Sequence, residues 1–228
     1  MKKNQTFGTS NKSARRPSGA TAGREATRLA KEQKILQAAE EVFAEVGFAG
    51  ATTSAIACKA GLPKANVHYY FRTKEDLIHA VLENILTLWL DSADVIVETA
   101  DPAEALSSYI RSKIEYSRDR PNASKVFASE ILHGAPYLEG FLRNQLKDRV
   151  DFKTGVIKKW IERGLMDPVP PEHLFFLIWS ATQTYADFDC QVAAVLGRRK
   201  KPKPEDFDQA AEFITNIVLK GCGIKSGK

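Results

Sequence analysis

The stretch Thr53-Ser-Ala-Ile-Ala-Cys-Lys-Ala-Gly-Leu-Pro-Lys-Ala-Asn-Val-His-Tyr-Tyr-Phe-Arg-Thr-Lys-Glu-Asp-Leu77 decides how the rest of the chain is understood. Thr52 or Thr53 is a suitable N-cap for a short helix carrying Ile56 and Ala57, and Gly61 is positioned to stop it in a left-handed conformation. Pro63 falls where a third helix starts, since its missing N–H costs nothing there, and that helix runs about two turns through Ala65, Val67 and Tyr70. Thr73, with Lys74, Glu75 and Asp76 behind it, caps the next helix. Two short helices joined by Gly61-Leu62-Pro63 and seated on Ile56, Ala57, Leu62, Val67 and Phe71 form a helix-turn-helix, the geometry that lays a recognition helix in the major groove of DNA.

Outward from this stretch the pattern stays helical. Upstream, Ile35, Leu36, Ala39, Val42, Phe43 and Val46 recur at three- and four-residue steps, so a helix is expected from near Arg28 to Gly47. Downstream, Leu77 to Leu90 predicts a long helix reaching about Asp94. Asp101-Pro102, Arg120-Pro121-Asn122 and Ala135-Pro136 each open a further helix, the last closing at Gly164. Two more span Pro171 to Phe188 and Glu205 to Lys220. The expected fold is all-α with about nine helices. Residues 1–28 form a basic N-terminal arm, 29–75 the helix-turn-helix domain, and 76–228 a helical bundle for effector binding and dimerisation.

Charge and composition narrow the functional classes. Residues 1–30 carry +6 of the net +5, so the remaining chain is close to neutral at −1. A Ser, Thr, Gly and Lys/Arg-rich arm lacks the apolar surface to order itself, and its charge points to a polyanion. The run Arg198-Arg-Lys-Lys-Pro-Lys203 is instead expected to be a solvated connection. Cys58, Cys190 and Cys222 are odd in number and far apart, which fits buried or partly buried thiols in a reducing compartment and not a disulfide framework. With no membrane-length apolar run and no secretory h-region, a cytoplasmic protein is expected. The four histidines show no ligand clustering and no catalytic fingerprint occurs, so neither an enzyme, a metal site nor a cofactor is expected.

The quoted stretch resembles, position by position, the DNA-binding signature of tetracycline-repressor-type regulators, through Ile56-Ala57, Ala60-Gly61, Tyr69-Tyr70, Phe71 and Lys74-Glu75-Asp76-Leu77. Chemistry and the resemblance together assign DNA contacts to seven residues. Lys64 meets a phosphate or guanine, the Ala65 methyl a thymine, and Asn66 a base edge or phosphate, with His68 on the same exposed face. The resemblance makes Tyr69 and Lys74 phosphate contacts, and Thr53 offers a hydroxyl at a helix N-terminus.

In the C-terminal half, Trp179, Gln183 and Asp187 follow one another at i, i+4 on a mostly apolar helix. Residues alone leave two readings open: hydrogen bonds and stacking for a small polar ligand, or a polar network within the bundle or between subunits. The segments 116–127, Glu130–Pro136 and Ile178–Phe188 are similar to the pyrimidine-utilisation branch of the same family. That resemblance implies a homodimer on a palindromic operator, a repressor that senses uracil or thymine and controls pyrimidine breakdown. It adds Trp89, Ser129, Glu130 and Tyr185 to the ligand residues. The alternatives are a repressor answering an apolar or acyl effector, and a DNA-binding dimer that answers no ligand.

Overall fold

Over residues 19–224, which the computed structural model describes, the chain forms ten α-helices and no strand. Helices α1 (Gly19–Gly50), α2 (Thr53–Ala60) and α3 (Lys64–Tyr70) make the head. Then come α4 (Lys74–Asp91), extended by a 3₁₀ turn over Ser92–Val95, α5 (Pro102–Asp119) and α6 (Pro121–Leu132). Helix α7 starts as Glu139–Phe141, passes a π turn at Leu142–Leu146 and continues as Lys147–Glu162. Helices α8 (Pro171–Asp187), α9 (Asp189–Val195) and α10 (Pro204–Gly221) complete the bundle. None of the described helices is long and apolar enough to cross a membrane.

The local signals act where the sequence places them. Thr52 is the cap of α2, its hydroxyl accepting from the Ala55 N–H at 3.1 Å. Gly61, at φ 62° and ψ 34°, turns the chain between α2 and α3 in a conformation that costs a side-chain-bearing residue about 1 kcal/mol or more. Gly47 (φ 70°, ψ 172°) breaks α1 as expected. Thr73 and Asp76 close a reciprocal capping box on α4, and Asp101 caps α5.

Three boundaries, one additional helix and one chemical expectation differ. Helix α1 begins at Gly19 and not near Arg28, so the segment of the arm from 19 to 28 is helical; its alanines favour helix, and Arg28 bridges Glu25 and Glu32 one turn either way. The rest of the arm, residues 1–18, lies outside the described residues. Helix α7 starts at Glu139, not at Pro136, because Gly134 (φ 87°) and Ala135 (φ 58°) both turn left-handed and the chain completes another turn first. The long α4 ends at Asp91, its last turn tightening to 3₁₀. Helix α9 is an additional short helix in residues 189–195, between the expected helix ending at Phe188 and the basic connection from Arg198, and it buries Ala193. Only Cys222 is a buried thiol, its pKa pushed up by burial; Cys58 and Cys190 are exposed.

Two apolar cores result. One joins α1 to α4 through Ile35, Ala39, Ile56, Val67, Leu77, Leu82 and Ile85, and it also takes Ala123, Val126, Ala135 and Leu138 from α6 and the turn after it. The other packs α5, α7, α8 and α10 around Leu106, Ile110, Ile157, Trp160, Ile178 and Ile214. Helix α4 therefore belongs to the first core along most of its length.

Candidate nucleic-acid interface and ligand cavity

Helix α3 presents one outward face. Lys64, Ala65 and His68 are exposed, Asn66 is half-exposed, and Tyr69 stands 77% accessible with its ring edge against Tyr70 at 5.2 Å between centroids. Val67 is fully buried on the opposite side, and this orients the face. Thr53 is half-buried at the first residue of α2. A positive, polar face on a short, rigidly braced helix is what groove contacts require. Lys74 is employed differently: its ammonium donates to the carbonyls of Phe48 (2.7 Å) and Ala51 (3.2 Å) and lies 4.2 Å above the Phe48 ring. The lysine ties the start of α4 to the turn after α1, so any phosphate contact by it would compete with these bonds. Lys59 braces the unit further through Glu45 at 2.7 Å and Glu41 at 3.2 Å.

A second site lies within the helical body. Helices α4 to α8 enclose a cavity of about 70 Å³, walled by Trp89, Tyr109, Lys113, Phe127, Trp179 and Gln183, with Leu146, Arg149 and Lys153 on its α7 side. The wall is aromatic and apolar with few polar groups. Trp89 stacks edge-on against Phe127 at 4.7 Å, and the Trp179 N–H donates to the Tyr109 hydroxyl at 2.7 Å. Tyr109 accepts that bond and keeps its own proton to donate; burial pushes its pKa up to about 12, so it stays neutral. Lys113 extends its Nζ over the Trp89 ring, 4.1 Å from the centroid, while Lys153 and Arg149 both reach Asp94, at 3.3 and 2.6 Å. The π turn of α7 ends at Leu146, on the cavity wall.

The seven residues expected to contact a ligand are thus divided. Trp89, Trp179 and Gln183 meet on this cavity. Asp187 sits one turn beyond Gln183, accepts from the Ser124 hydroxyl, and opens on a surface groove shared with Ser129 and His133. Burial raises its carboxyl pKa, opposed by Ser124, Lys125 and Lys113. Glu130 is buried under the α6–α7 turn, where its carboxylate accepts from the Tyr137 N–H; Tyr185 packs on Phe207 at 6.0 Å, away from the cavity. Lys113, Tyr109 and Phe127 are the wall residues that helical periodicity did not single out.

Comparison with known proteins agrees with this anatomy. Residues 35–81 match the family model "Bacterial regulatory proteins, tetR family", and residues 82–225 match "YcdC-like protein, C-terminal region". The HTH-type transcriptional regulator RutR of Escherichia coli K12 is 42% identical over 192 residues, covering 84% of this chain and 90% of that one. The HTH-type transcriptional repressor NicS of Pseudomonas putida is 27% identical over 193 residues, 82% of this chain and 90% of its own. A solved transcriptional regulator from Streptomyces coelicolor superposes with a TM-score of 0.63 at 26% identity, covering 86% of this chain and 99% of that one.

Proposed function

From the fact that this chain belongs to the tetR family of bacterial regulatory proteins, and is a DNA-binding transcriptional regulator and not an enzyme, we propose that it is a homodimeric repressor released from a palindromic operator by a pyrimidine base, uracil or thymine, and that it controls pyrimidine breakdown. The observation that carries the ligand assignment is the meeting of two indoles and one amide on a small cavity. At roughly 10–15 Å³ per water, the cavity has room for a small group of waters, a space suited to a single flat ring. Gln183 can both donate and accept, matching the alternating carbonyl and N–H edge of a uracil ring, while Trp89 and Trp179 supply faces. Lys64, Ala65, Asn66, His68 and Tyr69 then read or hold the operator, with Thr53 at the backbone.

Dimerisation is supported by exposed apolar side chains on the last helices of the body. Phe176 and Leu177 on α8, and Phe213 and Ile217 on α10, are each more than half accessible. Such a patch on paired helices is a candidate for burial against a second copy, and one short recognition helix reads too few base pairs to be selective alone.

The test is calorimetric titration and thermal shift with uracil, thymine, uric acid and an apolar control, on the wild type and on Gln183→Ala and Trp179→Ala. Stabilisation by uracil or thymine that disappears in both variants is the expected result. A response to the apolar control alone overturns the pyrimidine assignment and leaves the regulator standing.

A further inference from the structure

Three cations line the cavity, and two of them are already engaged. Lys153 and Arg149 on α7 share Asp94, and Arg149 also approaches Asp91 of α4 at 3.9 Å. Lys113, 4% exposed, has no carboxylate within 4.0 Å of its Nζ among the described residues, and its ammonium lies over the Trp89 face on the cavity wall. The nearest acid on α8 is Asp187, held by Ser124; on α6, Lys125 is held by Asp189 at 2.9 Å; α5 itself adds the neutral Tyr109. An ammonium that faces a cavity with no carboxylate beside it is placed to bind a carbonyl oxygen, which restores part of the hydration lost on leaving bulk water.

We propose that Lys113 is the specificity-determining residue of the cavity: it selects effectors that present a carbonyl oxygen to its amine, and their binding is coupled to the uptake of a proton. The inference rests on the effector assignment above and deepens it.

The electrostatics give the sign. Burial lowers the Lys113 pKa to about 7, only partly opposed by Asp187, so the free protein near neutral pH is a mixture of amine and ammonium. An effector carbonyl accepts a stronger, charge-assisted hydrogen bond from the ammonium than from the neutral amine, so it raises that pKa. At pH 7.5 binding should then draw in a proton, whereas at pH 6 the ammonium is already present and uptake should vanish. Effector affinity should fall as the pH rises from 7 to 9.

Two measurements test this on the full-length protein. The first titrates uracil calorimetrically at pH 7.5 in phosphate and in Tris, whose ionisation enthalpies differ, and reads protons bound per site from the difference. About half a proton or more is expected for the wild type and none for Lys113→Arg, which keeps a cation that does not titrate. Uracil binding with no proton uptake in the wild type overturns the inference while the pyrimidine assignment stands. Failure of uracil to bind at all overturns that assignment and, with it, the acceptor identified here. The second follows the side-chain carbons of isotopically labelled lysine by NMR in the free protein, using Lys113→Met for assignment. A Lys113 signal titrating near pH 7 is expected; one that stays fully charged to pH 9 overturns the inference whatever the ligand.

Discussion

Tyr69 carries its hydroxyl on the open side of α3, with only the ring edge against Tyr70. Tyr69→Phe is therefore expected to leave the melting temperature unchanged while weakening operator binding about tenfold, the loss of one hydrogen bond to a charged phosphate oxygen. Lys64→Ala should act similarly and flatten the salt dependence of binding by about one counterion; fluorescence anisotropy at several salt concentrations checks both. Unchanged affinity in both variants would remove α3 from the groove. The outward set on α3 was legible in the sequence because Val67 alone fixes which side is buried. Lys74 and Lys113 were not. A lysine on an amphipathic helix looks like solvated surface, and only packing shows that one spends its charge on the Phe48 and Ala51 carbonyls and the other lies under an indole.

Among the elements, α6 packs against α1 and α4 on one side and α5 and α8 on the other. Arg120, at its N-terminus, forms an ion pair with Glu40 of α1, a carboxylate only 8% exposed, and Tyr137, in the turn after it, meets Phe48 of α1 and His79 of α4 at 4.9 and 5.3 Å. Its Phe127 lines the cavity, so the same helix borders the cavity and braces α1 and α4. Arg120→Ala should lower stability by about 1–3 kcal/mol by stranding the Glu40 charge, with the guanidinium's partial exposure keeping the cost below that of a fully buried pair; urea unfolding measures it. The start of α10 gives a pH signature. Arg198 and the Lys203 N–H hold the Asp206 carboxyl down to about pKa 2, below its ordinary 3.8, so this contribution is complete above pH 4 and lost as the pH falls towards 2. Thermal melts at pH 5 and pH 3 should show a decrease that is smaller in Asp206→Asn. Helix starts at Pro102, Pro121, Pro171 and Pro204 could be read from the sequence because proline and its neighbours act locally. The start of α7 could not, since it depends on Ala135 adopting a positive φ that nothing in its residue type announces.

At the scale of the molecule, the proposed dimer and the proposed sensor should separate under mutation. Phe213→Glu together with Ile217→Glu places charge on the exposed apolar face of α10 and should give a monomer by analytical ultracentrifugation, with operator affinity reduced at least a hundredfold and uracil binding retained. A dimer persisting in that variant would place the interface elsewhere. Fold class and the reading head followed from a single 25-residue stretch, whereas the cavity joins residues from α4, α5, α6, α7 and α8 and becomes visible only when those helices are packed. The shared core has a consequence for how such proteins diversify. Because Leu77, Leu82 and Ile85 of α4 and Ala123 and Val126 of α6 complete the packing beneath the recognition helices, a chimera joining this head to a relative's sensor at residue 75 would leave both parents' cores mismatched. Recombination, natural or engineered, must carry α4 and α6 along with the head, so that a new reading head can be acquired only together with part of the cavity wall.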